Sequence, residues 1–343
     1  MPNIERLPNS LTVQYSELLQ NCVQPISDGS NISFKSKTIN GKRYWYIYIS
    51  LGSTRREHYL GAESTELLDR IEAERDARVS NEDDRKLRVR LVSMLVAGGM
   101  AATARDEGKL LTLLERSGVF LAGGVIVGTI AFRAYANMLG VRWSGNATTQ
   151  DVDVASDNRM TLALPRPKEP IHLRQVILDS GMGFFEVPAL DRRQPSTSFK
   201  VRRKDFRIDV LTPMHGREAR QPVKIAAFDT WAQPMRYMDI LLEDVQPAVL
   251  LHGHGIMINV PSPARFAMHK CVVSQMRPAA DAIRARKDIQ QADELFRVLV
   301  DNRPGDLVLA RDAAEKAGSR FLTHYRAGMT LLPADLRQAM SGV

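Results

Sequence analysis

The sequence predicts a mixed α/β protein in three parts, and three patterns carry that expectation. Residues 30–61 alternate polar and aromatic side chains between turn signals, and residues 107–260 interleave strand-period with helix-period stretches. From residue 261 onward the pattern is helical. With 343 residues, 44% of them apolar and 25% charged, the chain has an ordinary globular composition and exceeds one typical core. The expected divisions are a β meander over 1–62, a helical linker over 63–106, an α/β core over 107–260 and a helical domain over 261–343.

The meander rests on Ile32-Ser33-Phe34-Lys35, Tyr44 to Ile49 and His58-Tyr59-Leu60, with turns at Asn40-Gly41 and Gly52-Ser53. Its Lys35, Lys37, Lys42, Arg43, Arg55 and Arg56 interleave with Tyr44, Trp45, Tyr46 and Tyr48. Basic groups hold phosphates and aromatic faces stack bases, so this segment is a candidate for single-strand binding. The same aromatics serve equally well as a small core. The linker places Leu67, Leu68 and Ile71, then Leu87, Leu91 and Leu95, at helical spacing, and Asn81-Glu82-Asp83-Asp84 is expected to split it into a helix pair.

Leu121 to Val127 reads as a buried strand, and Gly128-Thr129 follows it. Ile130, Ala134 and Met138 then share a helical face that Gly140 closes as a cap. Gly128-Thr129 therefore sits at a helix N-terminus, where free N–H groups and the helix dipole favour phosphate. An ordinary turn capped by Thr129 accounts for the pair as well. The apolar stretch Gly118 to Phe132 contains four glycines and is too short to cross a bilayer.

The sharpest signal is Asp151-Val152-Asp153, joined about fifty-five residues later by Asp209 in Phe206-Arg207-Ile208-Asp209-Val210. Strand alternation puts Asp151 and Asp153 on one face and Val152 and Val154 on the other. Like charges so placed repel unless a cation lies between them. Three carboxylates on neighbouring strands suit Mg²⁺, or Mn²⁺ in its place, with substrate phosphates completing the coordination. Asp157 and Asp205 are expected on the surface. In the helical region Ser262 and Pro263 mark a helix start, and Lys270, Ser274 and Arg277 share one face beyond it. Arg286-Lys287-Asp288 and Asp293 follow, with Arg286 and Asp293 expected as solvated helix charges. His269 and Cys271 are expected to be structural. His252-Gly253-His254 would share a strand face without a third ligand nearby.

A net charge of +8 and a pI near 9.6 favour an anionic partner, although a small phosphate satisfies that preference too. Lys200 to Arg207 is a second basic tract that nucleic acid can use. Cys22 and Cys271 build no disulfide framework, so a reducing cytoplasm is the simplest setting. No secretion signal and no membrane segment are expected. Oligomeric state is not legible.

The order strand, Gly-Thr, helix, Asp-Val-Asp strand, then a strand bearing one Asp resembles the DNA polymerase beta-like nucleotidyltransferase superfamily. The chain is similar to its bacterial stand-alone, NTP_transf_8-like members, and more distantly to nucleotidyltransferase toxins of abortive-infection systems. The resemblance spans roughly residues 110–300 and implies a mixed-sheet nucleotidyltransferase palm. Gly128 and Thr129 match the turn that holds the triphosphate, and Asp151, Asp153 and Asp209 the acids that hold two Mg²⁺ ions. Lys270 matches a helix lysine that contacts nucleotide phosphates, with Arg277 and Lys287 behind it. Thr129 stands where serine is commoner, and the interval to Asp151 is about twice the minimal one, with Arg142-Trp143-Ser144-Gly145-Asn146 in the extra loop. The implied reaction moves a nucleoside monophosphate from an NTP to an acceptor hydroxyl and releases pyrophosphate. The acceptor is open between RNA (a tRNA-like molecule included), a protein and a small molecule. The rival readings are a nucleic-acid-binding or a regulatory partner protein built on an inactive fold; retention of three acids argues against both.

Overall fold

The structure is a computed structural model that describes residues 4–23, 32–39, 41–51, 54–145, 151–159, 170–216 and 221–342, without the side chains of 32–33, 47–51, 54–58 and 73–81. The turn at Gly52-Ser53, Asn40 and the side chains of Tyr48, Arg55 and Arg56 lie outside that description.

The N-terminal region holds more than a meander. After a short strand β1 (Glu5–Arg6), Asn9–Val23 form helix α1, whose Leu11, Tyr15, Leu18 and Cys22 are buried at helical spacing. The meander follows as β2 (Ile32–Ile39), β3 (Lys42–Leu51) and β4 (Thr54–Ala62), antiparallel in that order, as the alternation predicts. Among its described side chains the buried one is Trp45, whose indole N–H donates to Glu63 Oε2 at 2.9 Å.

The linker is one helix rather than two. Helix α2 (Thr65–Ala97) starts at Ser64, whose hydroxyl accepts from the Leu67 N–H, and runs 33 residues without a break. Asn81 to Asp84 contain neither glycine nor proline, and Asp83 pairs with Lys86 one turn on, so nothing there ends the helix. Leu91, Val92 and Leu95 near its end pack with α1 into a second apolar cluster.

The central region begins with α3 (Arg105–Arg116), β5 (Val125–Val127) and α4 (Gly128–Leu139). Only the last three residues of the Leu121 to Val127 run are strand. Gly118 and Gly123 take positive φ in the turns before it, and Leu121 is 80% exposed. Gly140 closes α4 in the left-handed conformation, its N–H directed to the carbonyls of Ala136 and Asn137. Next come β6 (Val141–Arg142), β7 (Asp151–Ala155), α5 (Leu173–Leu178), β8 (Phe184–Glu186), β9 (Ser198–Val201), β10 (Arg207–Pro213), β11 (Val223–Ile225) and β12 (Thr230–Met235). β6 pairs with β1, so part of the expected loop at Arg142 to Asn146 is strand, and Asn146 lies outside the described residues.

Seven strands form a mixed sheet in the order β11-β12-β10-β7-β5, with β9 beside the first half of β10 and β8 outside it. β7, β10 and β12 run parallel, and the other pairings are antiparallel. Val152, Val154, Ile208 and Val210 are fully buried on its inner face.

Helix α6 (Met238–Leu242) leads to a hairpin of β13 (Val245–Leu250) and β14 (Ile256–Pro261). His252-Gly253-His254 is the hairpin's turn rather than strand, because Gly253 and Gly255 both take positive φ. The Tyr15 hydroxyl on α1 donates to the carbonyl and accepts from the N–H of Val249 in β13, at 3.1 and 2.9 Å. Helices α7 (Pro263–Met276), α8 (Ala282–Asn302), α9 (Pro304–Lys316), α10 (Ser319–Met329) and α11 (Ala334–Ser341) complete the chain. α7 begins after Ser262 with Pro263 in its first turn, but the buried Ser262 hydroxyl makes no cap bond. Ile130, Phe266 and Leu295 join sheet and helices in one core.

Candidate active site

The site grows from strand register. β7 and β10 pair in parallel with Asp153 opposite Asp209 and Asp151 opposite Arg207. Directly paired residues share a sheet face, so all four side chains rise on the side away from the buried valines. Asp153 is crowded: burial, then the charges of Asp209 and Asp151, push its carboxyl up to about 7, with Lys270 and Arg207 acting against them.

The glycine turn lies at this acid. β5 runs antiparallel to β7 with Val127 opposite Asp153, so Gly128, the next residue and the start of α4, is delivered beside that carboxylate. Gly128 adopts φ +66°, and a Cβ there would overlap Asp153 Oδ2. Glycine is required twice over, by backbone conformation and by space. Lys287 on α8 donates to Thr129 Oγ1 at 3.3 Å, so a cation already stands at this helix start. Burial, followed by the charge of Lys270, holds the Lys287 ammonium below the usual lysine range.

Lys270 and Arg277 are organised by a residue that sequence reading passed over. Asp288 is 2% exposed; it accepts from Lys270 Nζ at 2.6 Å through one oxygen and from Arg277 Nε through the other. Lys270 acts on both Asp153 and Lys287, whereas Arg277, at the end of α7, is tied into the site through Asp288. Ser274 does not join them. It is buried and donates to the carbonyl of Cys271.

Asp209 is engaged from its own strand. Its Oδ1 accepts from Arg207 Nε at 2.7 Å and from the Ser198 hydroxyl, which also accepts from Arg207 Nη2 at 2.9 Å. The tract Lys200 to Arg207 is thus threaded with carboxylates, because Lys200 pairs with Asp205 and Lys204 with Asp106. The extra loop is anchored near α8. Trp143 stacks on Phe132 at 4.8 Å and donates to its carbonyl, while Ser144 donates to the buried Glu294.

Two acids differ from expectation. Asp157 is buried at 7% exposure, held by the Arg159 N–H at 2.9 Å and by His215 at 3.4 Å. Asp293 is also buried, its charge met by Arg297 at 2.8 Å, and burial raises its carboxyl above the usual range. Asp205 and Arg286 are exposed, as expected. Cys271 is buried and His269 half-buried, and burial of the ring drives the imidazole down to about 4.

Among the described residues no three His, Cys, Asp or Glu side chains form a ready cage for a metal ion. The donor set nonetheless suits a divalent cation completed by phosphate. Asp151 and Asp153 carry mutually unfavourable charge at one strand face, and a cation there would relieve what raises Asp153. Arg207 and Ser198 hold Asp209 through Oδ1, and its other carboxylate oxygen is the one that could join a cation.

An acid pair, a bare helix N-terminus and two lysines gathered in one place define a site fit for a polyphosphate and its cation. The family comparison agrees in kind. Residues 105–316 match the model of the NTP_transf_8 nucleotidyltransferase family, more than half of the chain, and the chain belongs to that family. No curated protein and no solved structure matched it. Among the described residues no helix is long and apolar enough to cross a membrane.

Proposed function

We propose that this nucleotidyltransferase moves a nucleoside monophosphate from an NTP to an acceptor hydroxyl in a reaction dependent on Mg²⁺ or Mn²⁺. The carrying observation is the contact of Gly128 with Asp153, which puts an anion seat and an acid pair in one place within a chain of this family.

The N–H groups at the start of α4 and the Thr129 hydroxyl receive the outer phosphates, and Lys287 and Lys270 neutralise them. Asp151 and Asp153 would hold the cation. When bound, that ion supplies charge neutralisation at the phosphates and activation of the attacking hydroxyl. The acceptor hydroxyl gives up its proton to solvent, its oxygen bonds to the α-phosphorus, and the bond to the pyrophosphate oxygen breaks. Asp209, steadied by Arg207 through one oxygen, completes the acidic face on the side of the incoming hydroxyl. Asp288 keeps Lys270 in position through its ion pair. Positioning and charge account for the chemistry, without a covalent enzyme intermediate.

The test supplies each α-phosphate-labelled NTP with Mg²⁺ to the purified protein, together with total RNA or a protein extract. Label should enter a macromolecule with release of pyrophosphate, and Asp153→Asn should abolish both. Nucleotide binding without transfer to RNA, protein or small acceptors would instead support an inactive, regulatory use of the fold.

A further inference from the structure

The β2-β3-β4 meander carries nothing that the transfer reaction uses, yet its two faces differ sharply. The register pairs Lys35 with Tyr46, Lys37 with Tyr44 and Tyr46 with Tyr59, so these five side chains share one face. Lys42 lies on it too, by alternation with Tyr44. Trp45 points the other way, buried against Glu63, and Arg43 pairs with the same Glu63 at 3.4 Å. The aromatics that alternate along the sequence are therefore sorted: Trp45 is buried on one face, while Tyr44 and Tyr46 are half-buried and Tyr59 exposed on the other.

The tyrosine face is a built platform. The Tyr59 ring lies 5.5 Å from Tyr46 and 6.3 Å from Tyr44, and Tyr59 is 59% exposed. Lys37 Nζ sits 4.5 Å over the Tyr46 ring, so positive charge and π-surface coincide. An exposed Tyr59 ring beside the half-buried Tyr44 and Tyr46, interleaved with lysines, is complementary to unstacked bases on a phosphate backbone, whereas a duplex keeps its base faces stacked out of reach.

We propose that this face docks single-stranded nucleic acid, with bases stacking on Tyr44, Tyr46 and Tyr59 and phosphates held by Lys35, Lys37 and Lys42. The proposal stands apart from the transfer reaction, because it concerns binding and none of these residues lies in the mixed sheet or its acidic site.

Fluorescence anisotropy of the full chain with a labelled oligouridylate, free or annealed to its complement, tests it. The single strand should bind more tightly than the duplex, and binding should weaken with salt. Tyr59→Ala should weaken it roughly ten-fold while Tyr59→Phe holds it within about two-fold, because the phenyl face still stacks. Lys35→Glu combined with Lys37→Glu should weaken binding and flatten its salt dependence, which keeps the test decisive even if Tyr59→Ala misfolds. Stabilisation by NTP and Mg²⁺ should be unchanged in every folded variant, which separates this face from the acidic site. Equal affinity of the folded variants and the parent, preference for the duplex, or absence of binding overturns the proposal. So does a Tyr59→Ala protein whose self-association changes while its oligouridylate affinity does not.

Discussion

The carboxylate of Asp153 lies against the bare Cα of Gly128, and any side chain at 128 would have to push that carboxylate aside. Gly128→Ala therefore has two effects. The left-handed φ costs about 1–2 kcal/mol for any side chain, and the new methyl displaces the Asp153 carboxylate. Thermal unfolding should show a moderate loss of stability, together with loss of the stabilisation that NTP and Mg²⁺ should confer on the parent protein. A folded Gly128→Ala protein that is stabilised by nucleotide as the parent is would show that turn and acid work independently.

The raised carboxyl of Asp153 makes a pH prediction for the metal-free protein. Its folded-state value of about 7 lies above the ordinary 3.8, so between those values the folded state holds a proton that the unfolded state has lost. The contribution of Asp153 to stability must therefore fall as pH rises from about 4 to about 7. Asp153→Asn removes the titration and should flatten that part of the stability profile, measured by chemical unfolding at a series of pH values. An unchanged slope would mean that Asp153 is ordinarily acidic. Where a divalent cation binds, it should release a proton in the same window.

Asp288 is the common anchor of Lys270 and Arg277, and removing its charge strands both cations in a partly buried setting. Asp288→Asn should cost about 3 kcal/mol, the scale of breaking a buried pair from one side. Adding Lys270→Met should recover part of that loss, since one stranded charge disappears. Urea midpoints of the two single variants and the double variant measure the coupling. Simple additivity would remove Asp288 from its positioning role.

What was legible followed from periodicity and spacing. Alternation along Asp151 to Val154 and Phe206 to Val210 gave the right faces for three acids, and the run into Gly128-Thr129 gave the helix start. Register was not legible, because nothing in either segment alone says that Asp153 stands opposite Asp209. Helix α1 was missed because polar residues interrupt the short apolar stripe of Leu11, Tyr15, Leu18 and Cys22, and its burial comes from β13 and α2 far along the chain. Asp288 received no role and Arg207 was counted only in the basic tract, because their partners lie on another helix and two strand positions away. The break expected at Asn81 to Asp84 failed for a local reason: polar side chains lower helix propensity but do not end a helix that neighbouring turns support.

The most direct test of the account is calorimetric titration of the purified full chain with an NTP in the presence of Mg²⁺, repeated on Asp151→Asn combined with Asp153→Asn. The account predicts that the parent binds nucleotide far more tightly with the cation than without it. In the double variant the cation's contribution should vanish, while the variant's unfolding transition at neutral pH stays as cooperative as the parent's. Cation-dependent nucleotide binding that persists at full strength in the folded double variant would contradict the assignment of these two aspartates as the metal seat.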